Sequence, residues 1–172
     1  MVRMGDAVSE SRKFVVFYLG SEKYGLDVTS VLEVIVPPAM TPLPMVPDFV
    51  KGVINLRGRI VTIVDLRLRF GLPPVEGGGN RVIIMEIKND QKTSYIGFLV
   101  DRVTDVLTVE GELDPIPDVI KSAVNNRYLA GIYKEGDEIT IILDDEKLLS
   151  TRELLSIRQA TEELEKEGGS GS

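Results

Sequence analysis

The stretch Gly52-Val53-Ile54-Asn55-Leu56-Arg57-Gly58-Arg59-Ile60 is the most unusual in the chain. Two apolar strand segments flank Asn55-Leu56-Arg57-Gly58, which reads as a hairpin with Gly58 at a positive-φ position. A displayed Arg57 beside the apolar Leu56 has the chemistry of a protein-interface anchor, since arginine is enriched at binding hot spots. A solvated turn with two ordinary surface arginines accounts for the same residues. The acidic run Asp144-Asp145-Glu146 offers carboxylates for a metal or for acid–base work. Calcium and magnesium sites, however, draw further oxygen ligands at regular spacing. Here a strand passes into a helix, where acidic residues complement the helix dipole and cap its first turn. Gly77-Gly78-Gly79-Asn80 lacks the spacing and the lysine of a phosphate-cradling loop. The proline-rich segment Val36 to Pro44 has the composition of an SH3 ligand and, more simply, of an extended crossing between strands.

The chemistry open to this chain is narrowed by what it lacks. Its 172 residues contain no cysteine and no histidine. That removes disulfides, thiolate nucleophiles, sulfur-ligated zinc, and the commonest general base and metal ligand. A carboxylate enzyme remains formally open, because two carboxylates suffice for some hydrolases, but no pair has a spacing that forces two acids together. Lys+Arg 20 against Asp+Glu 27, with 6% aromatic residues and no Trp, disfavours a nucleic-acid surface. No cofactor is implied. Residues 1–13 carry no apolar run like a signal peptide, and the apolar stretches are strand-sized. The reading is a cytoplasmic protein not inserted in the membrane.

The elements that must position these residues are encoded twice. Val15, Phe17 and Leu19 alternate with Val16 and Tyr18, Ser21 to Lys23 turn, and Tyr24-Gly25-Leu26 follows. Ile83, Met85 and Ile87 alternate likewise, Lys88 to Thr93 turn, and Ile96-Gly97-Phe98 follows. Gly25, Val28, Val31, Glu33 and Val34 then line up with Gly97, Val100, Val103, Asp105 and Val106, at the constant offset from 25 to 97. Gly52-Val53-Ile54 and Ile60 to Asp65 match Gly131-Ile132-Tyr133 and Ile139 to Asp144, so the second copy has an insertion between 118 and 131. The V-x-x-V-x-x-V block reads as a short helical turn entering a strand.

Each copy supplies about five short strands, and a sheet that small is stabilised by closing into a barrel and packing on its twin. The expected fold is mainly β: two similar five-stranded, SH3-like barrel subdomains with short helices and a C-terminal helix. The domain runs over 14–157, with repeats at about 14–70 and 81–145 joined by a flexible connection at 71–80. Residues 1–13 and 168–172 are expected to be flexible tails, and the terminal GGSGS looks like a linker or cloning remnant. Ser150 and Glu153 have the spacing of a capping box. Leu154, Ile157, Ala160 and Leu164 then form an apolar stripe that ends at Gly168 and docks on the barrels or on a partner.

Read together, these residues resemble the CheW family of bacterial chemotaxis coupling proteins. The resemblance covers about residues 14 to 157. It rests chiefly on Phe49 through Leu66 (F-V-K-G-V-I-N-L-R-G-R-I-V-T-I-V-D-L), with support from Tyr24 to Val28, Gly97 to Val103 and Tyr128 to Gly131. Thr62 stands where family members often have a proline, at what is expected to be an edge position. The resemblance implies a non-catalytic adaptor joining the cytoplasmic tip of transmembrane chemoreceptors, a helical hairpin, to the regulatory domain of the histidine kinase CheA. A CheW-like domain cut from a CheA or CheV protein is the alternative. The family's receptor-contact positions fall on Arg57, Val31, Glu33, Gly52, Val106 and Gly131, with Asn55 and Leu56 joining them through their shared hairpin. Core packing explains Val31 and Val106 equally well. No kinase-contact residue is placed by motif.

Overall fold

The computed structural model describes residues 11–73, 81–89, 92–119 and 126–170. Ten strands are formed: β1 (Arg12–Leu19), β2 (Glu22–Asp27), β3 (Val31–Ile35), β4 (Val50–Leu56), β5 (Arg59–Asp65), β6 (Arg81–Asn89), β7 (Lys92–Val100), β8 (Arg102–Val109), β9 (Leu129–Glu135) and β10 (Glu138–Leu143). Residues 14 to 17 of β1 are buried on both faces, so this strand is an apolar run inside a sheet and not the half-solvated alternation its sequence suggests. Arg12 and Lys13 belong to β1 and not to a tail. Residues 1–10, 74–80, 90–91, 120–125 and 171–172, which include most of the expected connection and of the insertion, lie outside the described residues.

The strands form two five-stranded sheets, ordered β8-β1-β2-β10-β9 and β3-β6-β7-β5-β4. By repeat, β1 to β5 correspond to β6 to β10, so both sheets have the same order built from exchanged parts. Each takes the first two strands of one copy and the last three of the other. The compact units are accordingly residues 1–31 with 102–148, and 32–101 with 149–172. The expectation that each copy closes on itself is therefore corrected. The reason lies in the link after the second strand of each copy. The link is three residues in the first copy and one, Asp101, in the second. Even three reach at most ~10 Å, roughly the two strand spacings needed to cross β1 or β6, with nothing left for the reversal. The chain instead runs on into the other sheet.

One parallel junction completes each sheet. Ile141 and Ile142 of β10 lie opposite Tyr24 and Gly25 of β2, and Thr62 to Asp65 of β5 lie opposite Ile96 to Leu99 of β7. Thr62 also faces Val53 of β4, so it sits in an interior strand and not at an edge. Among the described residues neither sheet closes into a full ring; both are the open, SH3-like form of the expected barrel. The glycine shared by both copies is explained by packing. A Cβ on Gly97 would lie 2.5 Å from Val82 Cγ1, and one on Gly25 2.9 Å from Ile142 Cδ1. In the second unit Ile54, Val61, Ile63, Val82, Ile84 and Leu99 form the buried cluster. In the first, Phe14, Val109 and Ile142 do so.

Short caps fix the ends of these strands. The Asp65 carboxylate accepts from the Arg67 and Leu68 amides and starts a helical turn at Leu66–Arg69. Arg67 then donates to both oxygens of Asp101, from Nε at 2.9 Å and Nη2 at 2.7 Å. In the other copy Asp144 accepts from the Glu146 amide, so the acidic run caps a turn as expected. The capping box forms: Ser150 N–H donates to Glu153 Oε1 and Glu153 N–H to Ser150 Oγ. Arg69, lying over Phe49, donates to the same Glu153 oxygen at 2.9 Å. Leu154 and Ile157 of the C-terminal helix (Thr151–Ser170) are buried. The helix continues through Gly168 to Ser170, where a break at Gly168 was expected; a glycine lowers helix propensity by about 1 kcal/mol but does not forbid the conformation.

The V-x-x-V block behaves differently in its two copies. Val28–Ser30 forms a 3-10 turn because Asp27 caps it, accepting from the Thr29 amide at 2.9 Å and its hydroxyl at 2.8 Å. Leu99 stands at the matching place, has no acceptor, and only a bend at Asp101 separates β7 from β8. Burial opposes the charge on Asp27, but the Thr29 donors and Arg12 overcome it and hold the carboxyl below its ordinary value. A carboxylate lowered in the folded state stabilises above the unfolded pKa and loses that stabilisation as pH falls through the folded one. Urea unfolding across a pH series should therefore show wild type more stable than Asp27→Asn near neutrality. The gap should close below about pH 4.

Candidate functional site

The β4–β5 hairpin pairs Leu56 with Arg59 and leaves Arg57 and Gly58 as a two-residue loop. Both have positive φ, 53° and 83°, the conformation whose twist suits a tight hairpin. The expected positive φ at Gly58 is present; that at Arg57 was not foreseen. Asn55 Oδ1 accepts from the Gly58 amide at 2.8 Å and closes the turn. Leu56 is half-buried against the cluster of its own unit. Thus Asn55 and Leu56 hold the hairpin while Arg57, with 68% of its side chain exposed, is displayed by it.

The guanidinium of Arg57 pairs with the carboxylate of Glu33 on β3. These strands stand at opposite ends of the order β3-β6-β7-β5-β4, so the pair forms because the sheet curls until its ends meet. The same seam is held by backbone: Thr41 and Val53 exchange both N–H···O bonds, at 2.9 and 2.8 Å. The proline-rich segment is therefore the strand crossing, laid along the outer edge of β4.

The repeat supplies a control for Arg57. In the β9–β10 hairpin the matching place is Gly136, with φ 64°, a conformation glycine adopts freely. An L-residue pays about 1–2 kcal/mol there. One copy meets the demand with glycine, whereas the other accepts strain and presents a cation. Strain of this kind points to a side chain retained for what it contacts.

The remaining candidates divide between surface and interior. Val106, on edge strand β8 opposite Val15, is 53% exposed, so core packing does not account for it. Val31 is half-buried at the start of β3. Gly52 and Gly131 are buried. A Cβ on Gly52 would lie 2.5 Å from the Thr41 carbonyl oxygen, at φ +148°; one on Gly131 would lie 2.8 Å from Leu113 Cβ. Both serve the same purpose in their copies, letting a returning segment approach, since the bridge Asp114–Ile132 repeats Thr41–Val53. The structure thus brings Arg57, Glu33, Asn55 and Leu56 together in one unit, with Val106 and Gly131 in the other.

Sequence reasoning passed over other exposed apolar groups. Leu32 and Val34 flank Glu33 on β3 and are exposed, as is Val36 beyond it. Their signal was available, since Val31 to Ile35 is apolar on both faces except at Glu33. Met45 is 98% exposed at φ 56°, and only its setting between Pro44 and Pro47 marked it. Among the described residues no cluster of three acidic residues could hold a metal, and no helix is long and apolar enough to cross a membrane.

Comparison with known proteins decides the family. The CheW-like domain model matches residues 13–153. The chain belongs to the CheW-like family. Chemotaxis protein CheW of Klebsiella aerogenes is 38% identical over 151 residues, 87% of each chain. CheW of Helicobacter pylori is 33% identical over 141 residues, 81% of this chain and 82% of its own. The scaffolding protein TtCheW from Thermoanaerobacter tengcongensis, solved by crystallography, superposes with a TM-score of 0.70 at 34% identity, covering 83% of this chain and 94% of that one. This CheW-like chain is a mainly β member of a chemotaxis family whose relatives include a scaffold.

Two substitutions separate display from construction. Arg57→Asn keeps a residue tolerant of positive φ before Gly58 and loses only an exposed ion pair worth little. It should raise stability by about 0.5–1 kcal/mol in urea unfolding. Gly52→Ala should lower it by about 1–3 kcal/mol, because the added carbon meets backbone in a strained conformation.

Proposed function

We propose that the chain is a non-catalytic adaptor, cytoplasmic at the inner face of the membrane, that couples transmembrane chemoreceptors to the histidine kinase CheA. Its receptor ligand is the helical hairpin at the receptor's cytoplasmic tip, and its kinase ligand is the regulatory domain of CheA. The observation that carries this reading is Arg57, held out at a conformational cost its twin hairpin avoids. An arginine pre-set on a rigid two-residue turn gives orientation and partner choice more than raw affinity.

The surface around Arg57 fits the role. Glu33 fixes the guanidinium, and exposed Leu32 and Val34 offer further apolar area on the opposite face of β3, worth roughly 25 cal/mol per Å² when covered. Val31 and Val106 are further contacts in this proposal. Gly52, Gly131, Asn55 and Leu56 act by shaping the backbone that carries the contacts. The match over 87% of the Klebsiella protein favours an adaptor of CheW type over a domain of CheA or CheV.

The test combines the purified chain, a receptor cytoplasmic fragment and CheA, scoring co-sedimentation and receptor-dependent kinase autophosphorylation. Wild type should couple the two partners. Arg57→Glu should weaken receptor binding by about 1–3 kcal/mol while its thermal unfolding stays near wild type. A wild-type chain that binds neither partner across a range of salt would overturn the reading, and a coupling-competent Arg57→Glu would remove the site.

A further inference from the structure

A second feature of the same unit adjoins the Arg57 hairpin at Gly58, but it uses neither Arg57 nor Glu33 and is not part of the coupling proposal. Strands β5 and β7 and the C-terminal helix line an open cavity of about 440 Å³. Its charge is opposite to that of the molecule. The chain has 27 acidic against 20 basic residues, yet the cavity is lined by Arg59, Lys92 and Arg158 with Glu162 as its single carboxylate. Buried Ile157 forms part of the wall.

The two arginines are already oriented. The Arg59 guanidinium lies over the Tyr95 ring, 4.1 Å from its centroid, which fixes the plane of the fork and leaves its N–H edge available. Arg158 donates from Nη2 to Ser94 Oγ at 3.0 Å, using one of five N–H groups. Among the described residues neither forms an ion pair within 4.0 Å, whereas Arg12, Arg57, Arg67 and Arg69 all do. Three cations gathered with one carboxylate leave a net positive charge and repel one another. An anion that enters relieves that repulsion and takes up charge-assisted hydrogen bonds from forks fixed in advance. The volume admits more than a bare ion.

We propose that this cavity is an anion site, taking a phosphate or carboxylate group carried on a small organic ligand or on an acidic side chain of a partner. The recognition is by guanidinium, with Lys92 adding charge at the rim and the isoleucine wall accommodating the carbon skeleton. It is independent of receptor coupling, because it is read on the free chain.

The experiment is an amide NMR titration of the full chain with inorganic phosphate and, separately, with a triglutamate peptide, at constant ionic strength. Saturable shifts should appear at Gly58, Ser94 and Thr161 in at least one arm. They should weaken about tenfold in Arg158→Gln and in Arg59→Gln, and stay unchanged in Arg152→Gln, on the same helix but outside the cavity. Saturation by phosphate assigns a small-ligand source; saturation by the peptide alone assigns a protein one. Thermal melting of each variant shows that the fold is intact, and Arg59→Gln, whose side chain only lies over a ring, keeps the test valid if Arg158→Gln unfolds. Linear, unsaturable shifts in both arms, or equal binding by both cavity variants and wild type, would overturn the proposal.

Discussion

Two short parallel junctions carry the architecture. Where β10 meets β2, and where β5 meets β7, strands from opposite halves of the chain complete each other's sheets. By contrast, β1–β2, β4–β5, β6–β7 and β9–β10 are local hairpins and β1–β8 an antiparallel pair. Tyr24 and Ile141 must find each other across most of the sequence before the first sheet exists. Contacts of such separation cost loop entropy before they return burial, so neither half has a complete core to fold around alone.

The same exchange positions the Arg57 site. Glu33 and Arg57 both come from the first copy, yet β6 and β7 of the second copy fill the sheet between them. The first half supplies the groups, and the second supplies the curved spacer that lets the ends meet. Backbone at Thr41 and Val53 locks that meeting, which is why Gly52 must have no side chain. The ion pair itself is exposed and contributes little stability; its worth is geometric.

Much of this was legible in the residues. Repetition showed ten strands, a shared glycine, a hairpin at Asn55 to Gly58 and caps at Ser150 and Asp144. The exchange was not legible, because periodicity records which side chains are covered and not which copy covers them. The left-handed backbone at Arg57 was hidden because Arg-Gly is not among the usual loop pairs, although Gly136 at the matching place was the available hint. Val28–Ser30 and its counterpart diverged through one residue, Asp27 against Leu99. Thr62 was misplaced at an edge because the parallel partner of β5 lies outside its own repeat, and Val106 was ambiguous because an apolar residue on an edge strand has the same local pattern as one in a core.

The reciprocal exchange also bears on what happens when the backbone is cut. Severing the chain in the glycine-rich stretch between Gly71 and Asn80 would leave two polypeptides, each holding two strands of one sheet and three of the other. Neither would possess an intact sheet, and each would present what the other lacks. Such halves are built for complementation: kept apart they remain incomplete, and brought together they regain both sheets at once. The duplication has thus made the molecule a natural split protein, in which restoring one sheet obliges the other to form.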